Sequence, residues 1–224
     1  MSGTLALVGG AEWTEGCDFD AELLAASGRN EVLVVPTAAA YENPAHVVHR
    51  ARAWFGGLGA EVSVLEVFRR SDAVSPAAAA QARGASFLYL AGGSPMHLRS
   101  VLKDTPLWDA IVAAFRDGAV LAGSAEGATV MCSHMVDTRG GAFTVGLDLL
   151  TEHTVIPHYD QWSEDKWHRT VRLAPRGMSV LGVDERTAAI SDGSGWRSAG
   201  HGSVTAYRDG HRVDLGTLPA VSDG

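Results

Sequence analysis

The chain has 224 residues, 46% of them hydrophobic and 20% charged, a composition typical of a soluble globular protein. Its length and composition predict a single domain over residues 1–224. Its 18 lysines and arginines against 26 aspartates and glutamates give a formal net charge of −8, which argues against nucleic acid or a membrane surface as the main partner. Only two cysteines occur and no apolar run reaches the roughly 20 residues of a membrane span, so we expect a cytoplasmic protein without a disulfide scaffold.

Short apolar runs that end in glycine or proline recur through the first two thirds of the chain. Continuous apolar strands of this kind are what a parallel sheet covered on both faces requires. The runs are Leu5–Val8, Val32–Val35, Val62–Leu65, Phe87–Leu90 and Ala119–Ala122.

Helical patterns lie between these runs. Residues 44–55 have apolar side chains on one face, and Thr105-Pro106 is a helix cap followed by proline at the first helical position. The alternation predicts an α/β fold with a doubly wound, mostly parallel sheet and helices on both faces. After about residue 150, β-rich segments between glycine turns predict antiparallel strands that finish the same sheet. These segments are Ser179–Val183, Thr187–Ile190, Val204–Tyr207 and Arg212–Leu215.

Glycine-rich loops follow several strands at the edge where open parallel sheets bind ligands. One of them, Gly123–Ala128, joins a strand to a small-residue helix with the G-x-Z-x-G spacing of a nucleophile elbow. In an elbow the central side chain is lifted into the cleft, and the following amide donates to an oxyanion. The central residue here is Ala125, which has no nucleophilic atom, and Ser124 lies one position early. A purely structural turn fits the spacing as well.

Other candidates follow neighbouring strands. Gly92-Gly93, with Ser94 after it, offers amides for a second oxyanion donor or forms only a tight turn. His158 ends a strand-like run where a general base would be presented, and Glu185 follows another such run and could orient it. A structural histidine and an ordinary turn carboxylate are the alternatives.

Two further pairs have helical spacing. Arg169 and Arg172 would share one helix face, which suits either a carboxylate substrate or a solvated surface. His46 and His49 also share a face, but no cysteine or carboxylate at suitable spacing completes a metal site, so we expect no metal. Gly9-Gly10 lacks the G-x-G-x-x-G spacing of a dinucleotide site, so no cofactor is expected.

Taken in this order, the segments resemble the dipeptidase E and cyanophycinase family of serine peptidases, whose fold is class-I glutamine-amidotransferase-like. The resemblance covers most of the chain, from Leu7-Val8-Gly9-Gly10 to Val204–Tyr207. The segments that carry it are Phe87–Leu98, Gly123–Met131, Pro157-His158-Tyr159 and Gly182–Thr187.

The resemblance implies that His158 is the catalytic histidine and Glu185 its orienting carboxylate. It implies oxyanion donors in the Gly92/Gly93 region and at the Glu126 amide, and cleavage after an N-terminal or β-linked aspartate through an acyl-enzyme. Arg169, Arg172, Ser94 and Asp160 are the remaining candidates for substrate contacts. The expected partners are a small peptide or amino-acid-derived substrate and a second copy of the chain in a homodimer.

Ala125 stands where this family has its serine, and Glu126 where it has a small residue. Three explanations are open: natural loss of the nucleophile, an introduced serine-to-alanine change, or an elbow shifted in register so that Ser124 attacks. The sequence thus predicts a dipeptidase-E-like site that is impaired or inactive, with a catalytically silent peptide- or amino-acid-binding protein as the alternative. A glutamine amidotransferase would need an elbow cysteine, and Cys132 lies seven residues beyond Ala125.

Overall fold

A computed structural model describes residues 3–221, which contain three β-sheets. The strands in chain order are β1 (Leu5–Val8), β2 (Glu31–Val35), β3 (Glu61–Val64), β4 (Phe87–Leu90), β5 (Val120–Ser124), β6 (His134–Val136), β7 (Phe143–Val145), β8 (His153–Ile156), β9 (Ser179–Val183), β10 (Thr187–Ser191), β11 (Trp196–Gly200), β12 (Val204–Arg208) and β13 (His211–Val213).

The helices lie mostly between these strands, as the sequence predicts. They are α1 (Phe19–Ala26), α2 (Pro44–Gly57), α3 (Arg70–Ala73), α4 (Pro76–Gly84), α5 (Pro95–Leu102), α6 (Pro106–Arg116), α7 (Glu126–Thr129) and α8 (Glu164–Leu173), with short 3-10 turns at Thr37–Ala39, Tyr159–Gln161 and Leu215–Thr217. The Thr105 side chain accepts from the Trp108 amide and so caps α6 at the predicted place. Between residues 3 and 221, none of the helices has the length and hydrophobicity that a bilayer crossing requires.

The largest sheet has seven strands in the order β11-β10-β1-β5-β4-β2-β3. Five neighbouring strands of this sheet are parallel: β1, β5, β4, β2 and β3. Strand β10 pairs antiparallel with β1, and β11 pairs antiparallel with β10. Val8 pairs with Ser124 and Leu90 with Gly123, so β1, β5 and β4 end at one edge of the sheet. Ligands bind at this edge in open α/β sheets, and the predicted fold class is confirmed.

Both faces of this sheet are buried, which explains why its strands read as continuous apolar runs. Helices α1 and α2 cover one face, and α4, α5 and α6 cover the other. Alternate residues of a strand enter opposite layers: Leu5, Leu7, Leu88 and Leu90 pack in one, and Ala6, Val8, Phe87 and Tyr89 in the other.

The prediction that all late strands finish the same sheet is wrong for three of them. Only β10 and β11 do so, whereas β9, β12 and β13 form a second sheet with β8 in the order β13-β12-β9-β8. One face of this sheet packs in a small core, where Ile156, Val180 and Tyr207 meet Val136 and Val171. Its other face, with Leu181 and Ala206, joins the main core. Alternation of apolar residues identifies a strand and its buried face but not the strand beside it, so the sequence could not assign the sheet.

A buried histidine links the second sheet to the end of the described chain. His153, at the start of β8, is 2% exposed, and its ring centroid lies 5.0 Å from that of Trp196. The Trp196 indole N–H donates to the Pro219 carbonyl at 2.9 Å. Burial lowers the pKa of His153 from 6.5 to about 4, because the charged imidazolium loses its hydration in this site.

We therefore expect His153 to lower the stability of the fold in mild acid. The unfolded chain binds this proton below pH 6.5 and the folded chain only near pH 4, so stability falls as the pH drops through that window. In His153→Phe this contribution is absent, and the difference in unfolding free energy between wild type and variant should change by roughly 3 kcal/mol between about pH 7 and pH 4. Denaturant unfolding at several pH values measures it. Other titrating groups are common to both chains, and a difference independent of pH would contradict the assignment.

Candidate functional site

The turn between β5 and α7 has the geometry of a nucleophile elbow. Ala125 has φ 49° and ψ −110°, a conformation that residues with a side chain rarely adopt. A Cβ added to Gly123 would overlap the backbone of Gly127, and one added to Gly127 would overlap the Leu90 carbonyl. Close packing therefore requires glycine at both positions. The turn places Ala125 at the central position of the elbow.

Ser124 points into the protein. It is fully buried, and its hydroxyl donates to Oε2 of Glu12 at 2.8 Å. Glu12 is 8% exposed and lies 3.5 Å from the Arg50 guanidinium. A hydroxyl buried in this way cannot meet a ligand unless the turn rearranges, which argues against a shifted register with Ser124 as nucleophile. Sequence reasoning missed Glu12, because no local pattern connects it with a residue more than a hundred positions away.

His158 and Glu185 are in direct contact. Nδ1 of His158 donates to Oε1 of Glu185 at 2.8 Å, and each side chain is about one third exposed. With Nδ1 bound to the carboxylate, Nε2 is the nitrogen left for proton transfer. The predicted contact between the two side chains is present, and their roles as general base and orienting residue stay predictions.

The end of β1 joins the elbow to this pair. The Val8 carbonyl accepts from the amide of the elbow alanine at 2.9 Å. The Gly9 carbonyl accepts from the His158 amide at 2.7 Å, and the Gly10 carbonyl from the Arg186 amide at 2.9 Å. Arg186 directly follows the carboxylate that orients the histidine. Three consecutive carbonyls therefore fix three separate segments of the site, and this is the role of the glycine pair that the sequence left unassigned.

Asp160 holds the loop that carries Glu185. Its Oδ1 accepts from the Glu185 amide at 2.9 Å, and its Oδ2 accepts from Nε2 of Gln161 at 2.8 Å. Both carboxylate oxygens are thus in contact with protein groups. Asp160 therefore positions the Glu185 loop, and its role in substrate contacts stays a prediction.

The Gly92-Gly93 loop lies beside the elbow, as predicted for an oxyanion donor. A Cβ at Gly92 would be 3.5 Å from the Cβ of Ala125. The Gly93 amide, however, donates to Oε2 of Glu126 at 3.2 Å. The Gly93 N–H, which was predicted to donate to an oxyanion, therefore donates to the Glu126 carboxylate in this structure.

Ser94 has a structural role in the same loop. Its hydroxyl accepts from the His97 amide at 3.3 Å and caps α5, and its own amide donates to the Ala38 carbonyl at 2.8 Å.

A cavity of about 440 Å³ lies next to the elbow. Its walls are residues 93–96, Glu126 and the β6–β7 hairpin with Met135, Asp137 and Arg139. This hairpin was not predicted from the sequence, because its two strands have only three residues each. The volume lies within the range of about 300–1,000 Å³ that is usual for small-molecule sites.

Helix α8 is tied to this hairpin, but its arginines line a different cavity. Lys166, Arg169 and Thr170 each donate to a backbone carbonyl in residues 138–141. Arg169 and Arg172 line a surface cavity along α8 that shares no lining residue with the one beside the elbow. The structure therefore does not bring this predicted pair to the elbow cavity.

Two further candidates have no catalytic geometry. Cys132 is fully buried, and burial raises the pKa of its thiol to about 12, so it stays protonated and cannot replace an elbow cysteine. His46 and His49 are exposed on α2, and residues 3–221 hold no group of three or more histidines, cysteines or carboxylates arranged to bind a metal ion.

Gly10 provides a test of how the histidine is held. It has φ 124°, and a Cβ there would overlap the imidazole of His158. In Gly10→Ala we expect the ring to leave Glu185 and the unfolding free energy to fall by about 1–3 kcal/mol, which denaturant unfolding and the imidazole NMR resonances would measure.

Gly28→Ala is the matched control, because Gly28 also has a positive φ, 68°, but nothing lies within 4 Å of the added Cβ. Unchanged His158 resonances in Gly10→Ala would contradict the packing assignment.

The chain is similar in sequence to curated cyanophycinases. Two cyanophycinases, from Trichormus variabilis and Nostoc sp., are each 30% identical over 213 residues, covering 89% of this chain and 71% of the relative.

Two solved structures are also similar. The crystal structure of a peptidase from an acI-B1 Actinobacterium has a TM-score of 0.84 and 28% identity, covering 99% of this chain and 96% of that one. A putative peptidase E protein from Listeria monocytogenes EGD-e, with a TM-score of 0.70 and 18% identity over 90% of this chain and 100% of its own, shares the fold. The model of peptidase family S51 matches residues 5–198, and the chain belongs to that family of serine peptidases.

Proposed function

We propose that this protein binds small peptides or amino-acid-derived ligands in the cleft beside the elbow without forming an acyl-enzyme. The observation that carries the proposal is the contact of the Glu126 carboxylate with the Gly93 amide, directly beside Ala125. The alternative is an impaired S51 peptidase that still hydrolyses small peptides slowly. The cytoplasmic location and the homodimer stay predictions from sequence.

Two requirements of acyl transfer are unmet in this arrangement. The first is a nucleophile, and Ala125 has only a methyl group at the elbow. Loss of a triad nucleophile leaves a residual acceleration of about 10³–10⁴ over water, far below that of an intact triad.

The second requirement is a free oxyanion donor. A substrate carbonyl oxygen that gains negative charge would compete with Glu126 for the Gly93 amide. Two negative charges about 4 Å apart repel by roughly 4 kcal/mol at an effective dielectric constant of 20, and losing one oxyanion donor slows such reactions about 10²–10³-fold. The same charge would repel an acidic substrate, so the aspartyl preference implied by the resemblance is not part of the proposal.

Slow hydrolysis is favoured by one observation, the intact contact between His158 and Glu185 at 2.8 Å. With Nε2 unused by that contact, the imidazole could take a proton from water as it attacks the peptide carbonyl, and then return it to the leaving amine. This route needs neither Ala125 nor Ser124, but it keeps the repulsion from Glu126.

Hydrolysis of a dipeptide panel, Asp-X and others, by four chains separates the two functions. We expect no turnover by the wild type, little by Ala125→Ser, and at least about 100-fold more by Ala125→Ser/Glu126→Ala, since the double variant regains both a nucleophile and a free donor. Adding His158→Ala to the double variant should abolish the gain. Amine release followed by chromatography is the measurement.

Ser124→Ala in the same double variant is the matched control for the neighbouring hydroxyl and should leave turnover unchanged. Turnover by the wild type that is lost in His158→Ala would overturn the binding proposal and support the slow peptidase. If Ser124→Ala alone abolished wild-type turnover, the shifted register would be correct.

A further inference from the structure

Glu126 is the one carboxylate of the elbow cavity that has no cationic partner within residues 3–221. The other, Asp137, is held by Arg139, with Nε on Oδ1 at 3.0 Å and Nη2 on Oδ2 at 2.8 Å. Among the described residues, the side chain of Glu126 accepts one hydrogen bond, from the Gly93 amide. An ionised carboxylate has about four acceptor positions, so most of those on Glu126 remain for a ligand.

We propose that this cleft recognises a ligand through an ammonium group bound by Glu126. The inference rests on the proposed function, because it names the chemistry of the ligand in the same cleft. The ammonium is supplied either by the free α-amino group of a small peptide or by a lysine-like side chain.

The negative charge of Glu126 favours a cationic ligand group over an anionic one. The partly buried Glu126 carboxylate in the cavity wall repels a ligand carboxylate and gives no hydrogen bond to a carbonyl oxygen, which is an acceptor like itself. An ammonium supplies three N–H donors and cancels the charge, and hydrogen bonds of this charge-assisted kind are roughly twice as strong as neutral ones.

The Gly93 contact favours ammonium over guanidinium. A guanidinium binds a carboxylate best through two parallel hydrogen bonds, one to each oxygen. Oε2 of Glu126 already accepts from Gly93 at 3.2 Å, which disturbs that bidentate arrangement. An ammonium is a compact donor that needs only one free oxygen, and Oε1 provides it.

The remaining walls suit a short zwitterion. Pro95, Met96 and Met135 give an apolar surface for one side chain. Nε and Nη2 of Arg139 already donate to Asp137, so Nη1 of this side chain, which is 85% exposed, is the guanidinium nitrogen left to donate to a ligand carboxylate. A cavity of about 440 Å³ with the Glu126 carboxylate and this donor in its walls is large enough for a dipeptide with both ends free.

Calorimetric titration with Xaa-Ala dipeptides, each in free-amine and N-acetylated form, tests the inference. We expect the free-amine peptides to bind the wild type at least about tenfold more tightly, because the acetylated peptides lose the charge-assisted hydrogen bond to Glu126. In Glu126→Gln this preference should fall to about twofold or less. Glu31→Gln, which removes an exposed carboxylate at the opposite edge of the sheet, is the charge-matched control and should behave as wild type.

N-acetyl-Lys-Ala distinguishes the two sources of the ammonium. Wild-type binding of this peptide as tight as that of free-amine Ala-Ala would assign the site to a side-chain amine, and binding as weak as that of N-acetyl-Ala-Ala to the α-amino group. Thermal unfolding of both variants confirms that they are folded.

Equal binding of free and acetylated peptides to the wild type, or undiminished binding of free-amine peptides to Glu126→Gln, would overturn ammonium recognition and leave the peptide-binding function standing. If no dipeptide in either form bound the wild type at millimolar concentration, the proposed function would fail and this inference with it.

Discussion

Three consecutive backbone carbonyls at the end of β1 hold the candidate site together. Val8, Gly9 and Gly10 accept, in turn, the amides of Ala125, of His158 and of the residue after Glu185. These three segments come from distant parts of the chain, and β1 can reach all of them because it lies in the sheet between β5 and β10. Since the contacts are between backbone groups, they fix the distances within the site whatever side chains the elbow carries.

The sequence predicted the frame of the site better than its polar contacts. The strand ends and the elbow follow from apolar runs and glycine spacing, which report local geometry, and the fold class and the family are confirmed. His158 and Glu185 meet as predicted, and their catalytic roles stay predictions. The Glu126–Gly93 contact and the buried Ser124–Glu12 pair were not predicted, because each depends on a side-chain rotamer and on a partner far along the chain.

The surroundings of other predicted site residues also depend on tertiary structure. Arg169 and Arg172 share a helix face as their spacing implies, but the spacing says nothing of where α8 packs, and it packs on the β6–β7 hairpin. Asp160 was a candidate for substrate contacts, and that role stays a prediction. Its carboxylate accepts the Glu185 amide, a contact that depends on how β8 and β9 lie together in the second sheet. Periodicity gives the direction of a side chain relative to its own element, and only packing gives its neighbour.

A frame made of main-chain hydrogen bonds also shapes how such a protein can evolve. A change at position 125 alters the chemistry but removes none of the three β1 contacts, so a lineage could exchange its nucleophile without destabilising the fold that selection maintains. Descendants of one ancestor could then drift between cleaving and merely holding their ligands. A hydroxyl placed at position 125 would likewise leave the three β1 contacts in place, because all of them join backbone groups.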